Sequence, residues 1–207
     1  MGMKKKGFLL SAIIATAGVV WGMRFWYLNN HAQMPVTETY QMNEVVEYGD
    51  NFFNRSGELR EGYAIEVKNA KILTYDEFKQ KYDITPPEKA AGSYCPEFVV
   101  DLEVTIFNRG TENEECGIDL FNTLFTSSCI RMPIDLDLWS SLYPQLGGSY
   151  TFRLRENSSM DFHLPYIVEN ESDARIADRD YMLDRPWYLN ISLYPVKKRI
   201  EIVLCEQ

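Results

Sequence analysis

Apolar and polar residues alternate most regularly over residues 98–107, where Phe98, Val100, Leu102, Val104 and Ile106 are apolar and Asp101, Glu103 and Thr105 stand between them. A period of two puts the apolar set on one face, so this segment predicts a strand with one side in a core. Asn108, Arg109 and Gly110 predict a turn, and residues 118–125 (IDLFNTLF) a returning strand with large side chains on both faces, as in a central position. In residues 62–75 (GYAIEVKNAKILTY), Tyr63, Ile65 and Val67 share one face before the apolar phase moves to Ala70 and Ile72. A one-residue slip in a period-two pattern requires an extra residue, which predicts a β-bulge near Lys68 and Asn69. Residues 44–48 (EVVEY) predict a shorter strand, and residues 76–83 (DEFKQKYD) one or two helical turns capped by Asp76 and ended before Pro86 and Pro87.

Residues 130–143 alternate at first, but Pro133 demotes them to an edge strand or crossing segment. Leu138, Trp139, Leu142 and Tyr143 then follow helical spacing. After Gly147 and Gly148 a hairpin is predicted, with Tyr150, Phe152 and Leu154 in one arm and Met160, Phe162, Leu164 and Tyr166 in the other. A charged connection over 169–184 leads to a terminal hairpin, 187–194 against 200–204, with its turn at 195–198. Seven or eight short strands, with no long helical period after the N-terminal segment, predict an all-β fold. Two packed antiparallel sheets in an immunoglobulin-like β-sandwich suit this size, with a small barrel as the competitor.

The N-terminal segment has a different pattern. Lys4, Lys5 and Lys6 precede an uncharged run over 7–23, followed by Arg24 and the aromatic residues Phe25, Trp26 and Tyr27. This predicts a signal anchor, a single transmembrane helix within residues 1–28, with its lysines cytoplasmic and the rest of the chain extracytoplasmic. Ala15, Thr16 and Ala17 also fit a signal-peptidase pattern, so secretion after cleavage is the alternative. Residues 29–41 are polar and aperiodic and predict a stalk, leaving 42–207 as the ectodomain.

Charge narrows the partners. The chain holds 21 basic and 30 acidic residues, a formal charge of −9. Residues 1–32 hold four cations and no acid, which leaves 17 cations against 30 acids, or −13, for the remainder. Such a domain repels phosphate backbones, and nucleic acid is set aside as a partner. Four cysteines, Cys95, Cys116, Cys129 and Cys205, form no CxxC pair and suit an oxidising compartment. If the hairpin after residue 98 is symmetric about residues 110–112, Cys95 comes within reach of Cys129, and a disulfide would clamp its open end; buried free thiols are the alternative. Asn54, Asn157, Asn170 and Asn190 stand in N-x-S/T triplets, weak support for surface loops.

Three pieces of the chain carry a resemblance: MKKKGFLLSAIIA, EVVEYGDNFF followed by GYAIEVKNAKIL, and FVVDLEVTIFNRG together with WYLNISLYPVKKRIEIVL. Over about residues 40–204 the chain resembles membrane-tethered domain-of-unknown-function proteins of Gram-positive bacteria. Their ectodomains are similar to the immunoglobulin-like fold of secreted mycobacterial immunoprotective antigens. The resemblance implies a fold and a cell-envelope address, and it carries no functional residue.

Catalytic motifs for nucleotides, zinc proteases or serine hydrolases are lacking, and no cofactor is expected. His31 lies in the predicted stalk, so any histidine chemistry rests on His163. His163 lies in a strand on the face opposite Phe162 and Leu164, which predicts a solvent-facing side chain whose replacement changes little. Asp173, Asp178, Asp180 and Asp184 could ligate Ca²⁺, but Arg175, Arg179 and Arg185 interleave with them and predict a self-paired loop. Tyr143, Tyr181 and Tyr188 are candidate partner contacts, whereas Trp187 begins the inward series Leu189, Ile191 and Leu193. The sequence predicts a non-catalytic, membrane-anchored binding or interaction module for a protein or cell-envelope ligand. An accessory subunit of a membrane complex such as a transporter or sensor, or a hydrolase of unusual type, are the alternatives.

Overall fold

The computed structural model describes residues 3–31, 35–54, 60–87, 94, 96–110, 117–128, 130–168 and 178–206, with side chains of the first helix from Leu10 onward. Contacts divide the chain into two compact units, Met1–Met34 and Pro35–Gln207. The first unit holds helix α1, Met3–His31, in which Thr16 and Asn29 return their side chains to the carbonyls of Ala12 and Phe25. Among the described residues no helix is long and apolar enough to cross a membrane, so the expected single transmembrane helix is not supported. Beyond Arg24, Asn29, Asn30 and His31 make the end of the helix polar.

The second unit is mostly β. Its elements are β1 (Val36–Tyr40), β2 (Val46–Glu47), β3 (Tyr63–Thr74), α2 (Tyr75–Tyr82), β4 (Phe98–Asn108), β5 (Ile118–Asp119), β6 (Phe125–Thr126) and β7 (Arg131–Met132). They continue with α3 (Leu136–Leu142), β8 (Thr151–Phe152), β9 (Ser158–Ile167), α4 (Arg179–Leu183), β10 (Trp187–Asn190), β11 (Val196–Ile202) and β12 (Cys205–Glu206). One sheet has the order β1-β11-β10-β6-β7 and the other β12-β3-β4-β9, with β2 also on β3; β5 and β8 form a separate ribbon. A single cluster of buried side chains joins Ile65, Val67, Leu102, Val104, Phe162 and Leu164 from the second sheet to Phe125, Leu189, Ile200 and Ile202 from the first. Both sheets therefore bury one face in a common core, and the even positions of β4 are the ones that enter it. The strand sense is mixed, because β1 runs parallel to β11 and β12 parallel to β3. Both are additions to a sheet edge, where no short hairpin dictates an antiparallel sense.

The bulge lies where the pattern places it: Val67 pairs with Val104 and Asn69 with Glu103, leaving Lys68 as the extra residue. The terminal hairpin also forms, with Trp187 opposite Ile202 and Asn190 opposite Arg199. Residues 118–125 do not return beside β4, whose neighbours are β3 and β9. Instead the Asp119 carboxylate accepts the Phe121 N–H at 2.9 Å and the Leu120 carbonyl accepts the Thr123 N–H at 2.9 Å, folding the chain sharply. Ile118–Asp119 then pairs with β8, and Phe125–Thr126 with β10 and β7. The hairpin that suggested a Cys95 to Cys129 bridge is thus replaced by another topology, and both cysteines lie outside the described residues. Cys205 is an exposed free thiol. The arms flanking Glu156–Asn157 likewise part, β8 to β5 and β9 to β4.

The expected stalk is partly structured: α1 extends to His31, and Val36–Tyr40 is strand β1. Helix α2 is capped by Thr74 in place of Asp76, in a reciprocal box in which Thr74 Oγ1 accepts the Glu77 N–H and the Glu77 carboxylate accepts the Thr74 N–H. The ambiguous stretch 130–143 resolves into both of its options. Strand β7 precedes Pro133, and α3 begins after Asp135, whose carboxylate accepts the Leu138 N–H at 2.8 Å.

Candidate functional site

Two places in the second unit gather polar side chains. The first lies on the face of β4 and β9 turned away from the main core. There α2 packs through Phe78 onto a smaller apolar cluster with Leu73, Val99, Leu138 and Ile167. Beside that cluster Asp101 is only 3% exposed and accepts three hydrogen bonds: from Lys81 Nζ at 2.8 Å, Tyr82 Oη at 2.6 Å and His163 Nδ1 at 2.9 Å. His163 Nδ1 also lies 2.7 Å from Tyr82 Oη, and because that hydroxyl donates to Asp101, the geometry assigns the imidazole proton to Nδ1. The His163 backbone N–H donates to Tyr143 Oη at 2.6 Å. Burial pushes the Asp101 carboxyl upward, but the hydrogen bonds from His163, Lys81 and Tyr82 outweigh it and hold the group below the usual carboxylate range. Burial, reinforced by Asp101, raises the Tyr82 phenol well above its ordinary value, and burial pushes Tyr143 up to about 12. Lys81, Tyr82 and His163 thus all find their acceptor in Asp101. Among the described residues, no serine, threonine or cysteine side chain hydrogen-bonds to His163.

The second place is an open cleft where the turn after β5 meets β6, β7 and the β10–β11 hairpin. It has a cavity of about 380 Å³, lined among others by Asn122, Thr126, Arg131, Asn190 and Lys197, with no carboxylate among the described residues that line it. Asn190 is committed to the fold, since its Nδ2 donates to the Leu124 carbonyl and to Thr126 Oγ1 at 3.1 and 2.9 Å. By contrast, the side chains of Asn122, Arg131 and Lys197 have no hydrogen-bond or ion-pair partner among the described residues. A second cavity, about 310 Å³, adjoins the first at Asn122 and Leu124 and is walled by Phe121, Pro133, Ile134, Leu136 and Tyr150. Phe121 is 64% and Leu136 46% exposed.

The sequence-predicted contact residues sit on three different elements. Tyr143 follows α3, half-buried against Trp139 and Phe162, and holds the backbone of β9. Tyr181 in α4 and Tyr188 in β10 lie under the guanidinium groups of Arg185 and Arg199, at 4.3 and 3.8 Å. Asp178 is an N-cap, its carboxylate accepting the Tyr181 N–H, while Asp173 lies outside the described residues. Among the described residues no group of acidic, histidine or cysteine side chains is arranged to hold a metal ion. Trp187 is fully buried, stacked on Phe125 at 4.8 Å, and donates its indole N–H to the Met182 carbonyl. His163 does face away from the main core, but α2 and Tyr143 make it part-buried and bonded, which corrects the expectation of a solvent-facing side chain. The cleft escaped sequence reasoning because its unpaired groups come from three separate turns and strands.

Fold and site together define a mostly β domain of two main sheets, with one polar cluster bonded within itself and one open cleft whose charged groups lack partners among the described residues. Residues 37–198, from β1 into β11, match a family described as Domain of unknown function (DUF5028), and the chain belongs to that family. No curated protein and no solved structure matches the chain.

Proposed function

We propose that this protein is a non-catalytic binding or interaction module, displayed outside the cell and held at the membrane by its N-terminal segment. The observation that carries the binding role is the cleft. Unpaired polar and cationic groups beside an apolar cavity are what a ligand site offers before its ligand arrives. The polar cluster supports a non-catalytic role, since its histidine, tyrosine and lysine are consumed in fixing Asp101 and α2. The address is supported by Lys4, Lys5 and Lys6 ahead of the apolar segment, the charge order of a membrane-targeting N-terminus. An immunoglobulin-like character for the domain and a Gram-positive cell envelope belong to the same proposal. Its test is fractionation of cells carrying the full chain, with protease added outside. The domain should sediment with membranes and be digested in intact cells, and recovery of the undigested chain from the cytosol refutes the address. Co-purification in mild detergent separates a free module from a stoichiometric subunit, and a panel of hydrolase substrates turned over by the full chain would refute the non-catalytic role.

A further inference from the structure

We propose that the cleft binds an extended peptide segment in which an acidic residue stands next to a bulky apolar one; this deepens, and rests on, the binding-module reading. Three observations define the ligand. First, Arg131 and Lys197 present two cations in one cavity without a carboxylate among the described residues of its lining, within a domain whose charge is otherwise strongly negative. Elsewhere Lys68, Lys79, Lys81 and Arg109 lie against Asp161, Asp76, Asp101 and Glu47 at 2.6 to 3.1 Å, and Lys71, Arg153 and Arg155, which have no ion pair among the described residues, line neither cavity. Arg131 and Lys197, together in one cavity and without a partner among the described residues, are placed to meet an anion from outside.

Second, the cavity does not end at its polar part. It adjoins the apolar cavity at Asn122 and Leu124, where exposed Phe121 and Leu136 stand with Tyr150. A free sugar or phosphate satisfies the cations but leaves that wall wet, whereas an aliphatic or aromatic side chain fills it. Third, Asn122 lines both cavities with a side-chain amide that has no partner among the described residues. An amide offers one acceptor and two donors in a plane, the complement of a peptide group running past it. An acidic side chain on one side of that peptide group and an apolar one on the other would reach both cavities at once. Asp135 lines the apolar cavity, but its carboxylate is held on the Leu138 N–H, so it caps α3. The net negative charge of the domain slows the approach of an acidic peptide at low salt, and short-range pairing with Arg131 and Lys197 governs the bound state.

The test uses the full chain, isotope-labelled, with the blocked peptide acetyl-Gly-Asp-Leu-Gly-amide and its Asn counterpart as probes. The acidic peptide should shift the amide resonances of Phe121, Asn122, Leu124 and Arg131. It should bind at least about fivefold more tightly than the Asn peptide, and the advantage should vanish in Arg131→Gln with Lys197→Gln. Both substituted side chains lie at the surface of the cavity, and an unchanged spectrum away from the cleft shows that the variant folds. Equal affinity for the two peptides overturns the anionic assignment while leaving a peptide cleft. Shifts produced by glucuronate or glycerol phosphate but by neither peptide overturn the peptide assignment while leaving a binding module. No shift at the cleft with either peptide at about 10 mM overturns the inference outright, and the module proposal is then judged by the fractionation and co-purification above.

Discussion

Replacing Asp101 with Asn keeps the volume of the side chain and removes its charge from a place only 3% exposed. Three donors converge on the carboxylate, and Asn, which turns one N–H₂ group toward them, can accept at one oxygen only. Hydrogen bonds to a charged group contribute about 1.5–3 kcal/mol each. The Lys81 side chain is about one-third exposed and can turn to water, so its share is discounted, whereas Tyr82 and His163 are fixed by packing. The expected loss is about 2–3 kcal/mol, which for a domain of this size lowers Tm by roughly 4–12 °C. The carboxyl of folded Asp101 titrates below its unfolded value of about 3.9, so the stabilisation is fully present above that pH and is lost as pH falls through the folded value. Denaturant melts of the wild type and the variant from pH 7 to pH 2 should therefore show a gap that closes only in acid. Hydrogen exchange should quicken in α2 ahead of the main core. A gap under about 0.5 kcal/mol at neutral pH, or one unchanged at pH 2, would refute the reasoning.

Three further outcomes are expected. His163→Ala should cost about 1–2 kcal/mol in denaturant melts, because it strips one donor from Asp101 and opens the cluster to water; unchanged stability would return His163 to the role of a surface residue. Thr74→Ala removes the cap of α2 and should cost about 1 kcal/mol, with Asp76→Ala, a residue exposed in the first turn, costing clearly less in the same assay. Deletion of Lys68 takes out the bulged residue and turns Ala70 and Ile72 away from the core, so near-UV circular dichroism should collapse. A native-like spectrum for the deletion would show that β3 can shift its register freely.

The sequence by itself determined the long strands. Ten alternating positions leave β4 only one way to bury Val100, Leu102, Val104 and Ile106, and the phase slip in β3 needs one extra residue, which is Lys68. It also determined the terminal hairpin and the burial of Trp187, both written in local period and turn chemistry. Two-residue strands such as β5, β6 and β7 carry too little pattern to choose a partner, so the path of residues 118–132 was decided by which sheet edge the rest of the fold left open. The same holds for His163. Alternation assigns it a face, but whether that face meets water depends on a helix eighty residues away in sequence, drawn over β4 by Phe78 and the apolar cluster beneath it. Only tertiary packing could make a buried carboxylate of Asp101, or set Arg131 and Lys197 in one cleft with no acid among its described residues. Burial and convergence are properties of chains folded past one another, and no periodicity along a single strand encodes them.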